Sequence, residues 1–236
     1  MRQVEAGIGG SRGTAVGVIP AGAVAFALAL AVGALGGAGA ALLAGAGMAA
    51  VLGFVLRQAM RHYPHARFGG CNTVTLARAG AVTGLAALIP AAPGGWAVLA
   101  VAALALAADG VDGWLARRSG LASAFGARFD MEVDAALAAV LAGHLWLSGQ
   151  TGVEILALGL MRYVFVAGFL PFPWLAAALP DRFGRKVACV VQIAALILLQ
   201  APGWPEGVAR GIGLAAVTVL TWSFGRDVLW LWRNRG

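Results

Sequence analysis

Eight continuous apolar runs leave this chain few folds to choose from. They cover roughly residues 15–33, 38–56, 73–92, 95–116, 128–148, 152–178, 186–202 and 207–231. The runs are rich in Ala, Leu and Gly and show no two-residue alternation. They therefore read as helices and not as the ten-residue alternating strands of a transmembrane barrel. Only 11% of the residues are charged, against about 25% in soluble domains. The expected fold is all-α: a polytopic membrane helical bundle.

Charge placement orients it. With the N-terminus inside, the inner ends carry Arg2 and Arg12, then Arg57, Arg61 and Arg67, then Arg117, Arg118 and Arg128, then Arg182, Arg185 and Lys186, then Arg226, Arg233 and Arg235. The outer loops at 33–38, 92–95, 149–152 and 202–207 contain no Lys or Arg. This positive-inside pattern puts both termini in the cytoplasm. The chain is expected in the cytoplasmic (inner) membrane. The net charge of +7 falls between apolar spans, which argues against a nucleic-acid partner and for attraction of anionic lipids or phosphates. A cleaved signal peptide would remove the first span and spoil the alternation. Cys71 and Cys189 lack metal-ligand spacing and read as free thiols.

The first two spans are almost pure Ala, Gly, Leu and Val, and read as lipid-facing or bundle-packing helices. Gly33 and Gly37 are spaced as a small-xxx-small packing signal. Residues 57–70 read as a cytoplasmic linker.

Within this apolar background four aspartates fall inside 26 residues: Asp109, Asp112, Asp130 and Asp134. A carboxylate in a bilayer span costs roughly 2.5–3.5 kcal/mol on insertion scales, and clustered ones repel. At 100° per residue, Asp109, Asp112, Gly113 and Ala116 form one helical stripe. Gly126, Asp130 and Asp134 form a second. The basic segment 118–125 reverses the chain, so the stripes face each other at the cytoplasmic boundary. Facing oxygen ligands suit two hard cations, Mg²⁺ or Mn²⁺, which can clamp a diphosphate. Arg117, at the edge of the first stripe, can reach a phosphate oxygen. Glu132 points roughly 160° away and reads as a packing or interfacial residue. Three other readings exist. The acids could be a polar cluster neutralised by Arg117, Arg118 and Arg128, or part of a cation transporter. They could also be the paired motifs of an intramembrane prenyltransferase, although a gap of 18 residues between Asp112 and Asp130 is short for that.

The pattern Asp109-x-x-Asp112-Gly113-x-x-Ala116-Arg117-x8-Gly126-x3-Asp130-x3-Asp134 resembles the signature of the CDP-alcohol phosphotransferase family at every specified position. The resemblance implies a six-helix catalytic core over residues 70–236, with residues 1–69 as an N-terminal extension of two spans and a linker. It implies a homodimer that displaces CMP from a CDP-alcohol, usually CDP-diacylglycerol, with an acceptor alcohol, at a site facing the cytoplasm. Asp109, Asp112, Asp130 and Asp134 would hold the metals, and Asp134 would also be the general base. Asp112, Gly113, Ala116, Arg117 and Gly126 would bind the CDP moiety. Asn72, Thr75 and Arg78 resemble the Asn-x-x-Thr-x-x-Arg start of the first core helix, which borders the nucleotide. Arg162 resembles a basic residue of the fourth core helix that often faces the acceptor, and Arg185 and Lys186, taken as acceptor-binding too, resemble the Gly-Lys entry to the fifth. The basic set Arg162, Arg182, Arg185 and Lys186 either suits an anionic acceptor such as glycerol 3-phosphate or inositol phosphate or only satisfies the positive-inside rule, and serine, choline and a second lipid stay open as acceptors.

Overall fold

The structure, a computed structural model, describes residues 2–65, 67–91, 95–180 and 182–235, with side-chain surroundings from residue 17 onward. The side chains of Arg2 and Arg12 and residues 92–94 of the second outer loop lie outside that set. Every regular element among the described residues is helical: α1 (Arg2–Gly33), α2 (Ala38–His62), α3 (Gly69–Leu88), α4 (Trp96–Ser119), α5 (Ala124–Leu147), α6 (Leu156–Ala167), α7 (Phe183–Leu198) and α8 (Glu206–Arg233). Single 3₁₀ turns lie at Ala34–Gly36, Val153–Ile155 and Pro173–Ala176.

The eight apolar runs become eight helices, but unequal ones. Four are long and apolar enough to cross a membrane: Gly17–Gly36, α2, α4 and α8. The chain is a polytopic membrane protein. Helices α3 and α5 have 20 and 24 residues, but their runs are interrupted by Arg78 and by the acids. Helices α6 and α7 have 12 and 16 residues, so at about 1.5 Å per residue neither fills a ~30 Å hydrocarbon layer. The sixth run, expected to continue to residue 178, stops as helix at Ala167. Pro171 and Pro173 follow, and a proline has no N–H to continue the ladder.

By internal packing the chain divides into two compact units: Met1–Ala92 with Ala100–Asp134, and Pro93–Leu99 with Ala135–Gly236. In the first, α3 is the most enclosed helix, packed by α1 and α2. Helix α1 turns Val18, Ala21, Ala25, Ala29 and Val32 inward and leaves Ile19, Val24 and Leu28 exposed. This is the packing logic of a bilayer. Lipid tails solvate large apolar side chains, so helices associate through small residues that let backbones approach. A methyl group at Gly80 of α3 would overlap the Ala25 carbonyl, and one at Gly84 would come within 2.9 Å of the Ala29 carbonyl. Gly33 likewise faces Ala44 of α2. Its partner in the expected packing signal, Gly37, does other work: it turns the chain at φ +92, and a Cβ added there would meet nothing within 4 Å.

The linker is held by Tyr63. Its hydroxyl lies 3.0 Å from the carbonyls of both Arg67 and Phe68, which share its one proton. Burial raises the pKa of this hydroxyl above the ordinary phenol value. Cys71, just ahead of the third apolar run, lies buried in the first turn of α3. Gly69 starts that helix at φ +77, where a side chain would also strike Leu121.

In the second unit, polar side chains bind neighbouring backbones. Gln192 of α7 donates to the Leu158 carbonyl at 2.5 Å, and Gln200 to the Leu141 carbonyl at 3.0 Å. Phe165 and Phe224 meet edge to face at 5.5 Å. His144 is fully buried. Gly159 lies against α5, where an added Cβ would sit 2.7 Å from the Ala139 α-carbon. Gly159→Ala therefore overpacks this contact and should destabilise the protein by about 1–3 kcal/mol. Thermal unfolding in detergent checks this, and an unchanged midpoint would contradict the close α5–α6 approach.

Candidate metal and nucleotide site

The site is built where α4 ends and α5 begins. Gly120 takes φ +68 and turns the chain after α4, as glycine does at helix C-termini. Ser123 then caps α5, its hydroxyl accepting the Gly126 N–H at 3.0 Å. The turn is thus residues 120–123, inside the segment expected to reverse the chain. It brings the two acidic stripes face to face. One carboxylate oxygen from each of Asp109, Asp112 and Asp130 lies within 4.8 Å of the others. Asp112 is buried, while the side chains of Asp109, Asp130 and Asp134 are 37%, 36% and 44% exposed. Glu132 is exposed and outside the cluster, as its angular position requires.

The four acids converge on Arg78. Its Nη1 lies 3.0 Å from Asp109 Oδ1, 3.0 Å from Asp112 Oδ2 and 2.5 Å from Asp130 Oδ1, and its Nη2 pairs with Asp134 Oδ1. The Arg78 side chain is 2% exposed. A guanidinium so buried is tolerable only when paired, and a planar fork with several donors can serve several carboxylates where an ammonium would not. Thr75, one turn earlier on α3, donates to Asp112 Oδ2 at 3.0 Å. The cluster's internal cation is therefore Arg78 and not the loop arginines. Arg118 instead stacks over Trp114 at 5.0 Å, and Arg117 is exposed at the rim. Sequence reasoning placed Arg78 beside the nucleotide but missed its role as hub. The available signal was a lone arginine in the apolar interior of the third run, in step with Asn72 and Thr75.

Beside this cluster lies a cavity of about 210 Å³. All seven residues expected to bind the CDP moiety line it: Asn72, Thr75, Asp112, Gly113, Ala116, Arg117 and Gly126. So do Asp130, Cys71 and Ser123. The small residues have distinct uses. A Cβ on Gly126 would meet Asn72 Oδ1 at 3.0 Å, so this glycine admits the Asn72 amide as well as leaving room for a ligand. Asn72 itself sits in the first turn of α3 and donates to the Phe68 carbonyl at 2.6 Å.

The donor set fits a divalent metal. Carboxylate oxygens are the ligands that Mg²⁺ and Mn²⁺ prefer, and one guanidinium does not balance four acids. Asp109, Asp112 and Asp130 are the residues that would hold such an ion, with Asp134 adjacent through Arg78.

The residues expected at the acceptor lie in the second unit and are described there. Arg162 is half-buried on α6, and Lys186 is exposed on α7. Arg185 is engaged: its Nε pairs with Asp227 Oδ2 at 3.0 Å, and its Nη2 donates to the Pro180 carbonyl at 2.7 Å. Asp227 of α8, 5% exposed, was not foreseen, since a single acid in a basic terminal segment gives no spacing to read. Arg226 adds its guanidinium over Gly184.

The family model for CDP-alcohol phosphatidyltransferase matches residues 68–223. The match covers more than half of the chain, and the chain belongs to this family. Members transfer a phosphatidyl-type group from a CDP-alcohol to an acceptor alcohol, so the protein is a membrane transferase of phospholipid synthesis. No curated protein and no solved structure gives a match.

Removing the hub tests the geometry. Arg78→Ala leaves four acids without their internal cation and should destabilise the protein by about 3–5 kcal/mol. Unfolding of the variant in chelator and in millimolar Mn²⁺ reads the effect. Mn²⁺ should recover part of the loss, because it supplies the missing positive charge. An unchanged unfolding midpoint in chelator would contradict the hub.

Proposed function

We propose that the protein is a CDP-diacylglycerol-dependent phosphatidyltransferase that works with two divalent ions at its aspartate cluster. What supports the reading most directly is the convergence of Asp109, Asp112 and Asp130 beside a cavity lined by Asn72, Thr75, Gly113, Ala116, Arg117 and Gly126. The enzyme acts as a homodimer in the cytoplasmic membrane, with residues 70–236 as its catalytic core and the site facing the cytoplasm.

Bound Mg²⁺ or Mn²⁺ would neutralise the diphosphate and the departing CMP. The rest falls to the chain. Asn72, Thr75 and the small residues of the two stripes seat the nucleotide. Arg78 engages Asp134 through Oδ1, which leaves Oδ2 as the oxygen that takes the proton from the acceptor hydroxyl. That hydroxyl oxygen attacks the phosphorus bearing the lipid, the bond from this phosphorus to the CMP oxygen breaks, and Arg117 offsets the charge on CMP. Arg162, Arg185 and Lys186 attract an anionic acceptor of the glycerol 3-phosphate or inositol phosphate type. The Asp227 carboxylate beside Arg185 would hold that arginine's direction.

The test separates binding from proton transfer. Purified protein is given CDP-diacylglycerol, Mn²⁺ and a panel of labelled alcohols, anionic ones included. General-base catalysis contributes about 10²–10⁴-fold, so Asp134→Asn should still bind CDP-diacylglycerol yet turn over at least about a hundredfold more slowly. Asp112→Asn should lose binding and turnover together. Near-normal turnover in Asp134→Asn would refute the base, and no labelled product from any alcohol would refute the transferase.

A further inference from the structure

We infer that the N-terminal hairpin is a positioning frame for the carboxylate site, acting through Gly80 against α1 and through Tyr63 against α5. This rests on the metal-site reading above. The two N-terminal helices α1 and α2 lie outside the family match, which begins at Phe68, and their apolar runs, 15–33 and 38–56, carry no charged residue. The hairpin's contacts are nevertheless directed at the two helices that carry the site.

The first contact is on the back of α3. Arg78 points from α3 into the acids. Gly80 lies two residues on, roughly 200° round the helix. There α3 has no side chain, and the α1 backbone at Ala25 fills the space so closely that a methyl group would overlap its carbonyl. Gly84 repeats the contact one turn further, against Ala29 and Val32. Backbone-to-backbone packing sets the rotation and depth of α3 more tightly than flexible side chains can. Arg78, Thr75 and Asn72 inherit that setting.

The second contact is at the front. The Tyr63 hydroxyl donates to the Phe68 carbonyl, which also accepts from Asn72. The Tyr63 ring meets Phe125 edge-on at 5.6 Å, and Phe125 leans on Phe129 at 6.0 Å. Phe125 and Phe129 immediately precede Gly126 and Asp130. One linker residue thus ties the start of α3 to the turn of α5 that carries a metal-ligand candidate. A plain membrane anchor needs neither contact, since its large side chains already face outward.

The test compares Gly80→Ala, Tyr63→Ala, Tyr63→Phe and, as a control on the exposed face of α2, Leu42→Ala. Mn²⁺ binding is measured by calorimetry on the full chain, beside CMP release. Losing a group that orients metal ligands costs about 10–100-fold in affinity or activity. Gly80→Ala and Tyr63→Ala should each weaken Mn²⁺ binding at least about tenfold and lower CMP release in step. Tyr63→Phe keeps the ring contact on Phe125 but loses the hydroxyl bond to the Phe68 carbonyl, so it should weaken binding less than Tyr63→Ala does, and Leu42→Ala should change neither. If Gly80→Ala does not fold, the two Tyr63 variants decide. Wild-type Mn²⁺ binding in both Gly80→Ala and Tyr63→Ala would overturn the frame, as would equal damage in Tyr63→Phe and Tyr63→Ala. A wild type that binds no Mn²⁺ would overturn it too. A wild type that binds Mn²⁺ but releases no CMP refutes the transferase reading, while the Mn²⁺ comparison still judges the frame.

Discussion

A guanidinium with 2% of its side chain exposed, shared among four carboxylates, is expensive to assemble in a membrane protein, and much of the first unit follows from that expense. Charges removed from water must be matched by partners in good geometry. Arg78 can reach Asp109, Asp112, Asp130 and Asp134 only if α3, α4 and α5 hold fixed positions relative to one another. The α4–α5 turn is accordingly short and capped, with Gly120 and Ser123 at its two ends. Thr75 adds a second donor to the most buried acid. One positive charge among four acids still leaves the cluster strongly anionic. That excess, in oxygen ligands, is what makes the cluster suited to divalent cations.

The same demand explains how α3 is packed. A helix in lipid gains little from burying large apolar side chains, because the tails outside are equally apolar. Close van der Waals packing of small residues is what remains. Helix α1 answers with an inward face of Ala and Val and an outward face of Ile, Val and Leu. Helix α3 answers with Gly80 and Gly84. What looks like plain lipid-facing composition is a surface shaped for close packing on α3 and α2.

The fold class was legible in the sequence because helical membrane spans announce themselves by length and continuity. The acidic stripes were legible because 100° per residue turns spacing into direction. Asp109, Asp112 and Asp130 do converge, and the residues expected around the nucleotide do line one cavity. Other features depend on tertiary context. Arg78 could be seen in the sequence, but that it is the shared counter-charge depends on how α3 is rotated against two other helices. Gly37 matched a packing spacing and serves a turn instead, since spacing cannot tell a helix from the residue after it. The sixth run was too long as read. Its hydropathy continues past Ala167, while Pro171 and Pro173 end the helical hydrogen bonding. Asp227 had no local pattern at all, and only the packing of α7 on α8 pairs it with Arg185.

The central claim is that the aspartate cluster around Arg78 works by holding divalent cations. Its most direct test is CMP release from CDP-diacylglycerol and an acceptor alcohol, followed while free Mn²⁺ is titrated from excess EDTA upward. The account predicts no release in chelator and a rise to full rate as Mn²⁺ or Mg²⁺ is restored. Full turnover in excess EDTA would contradict it.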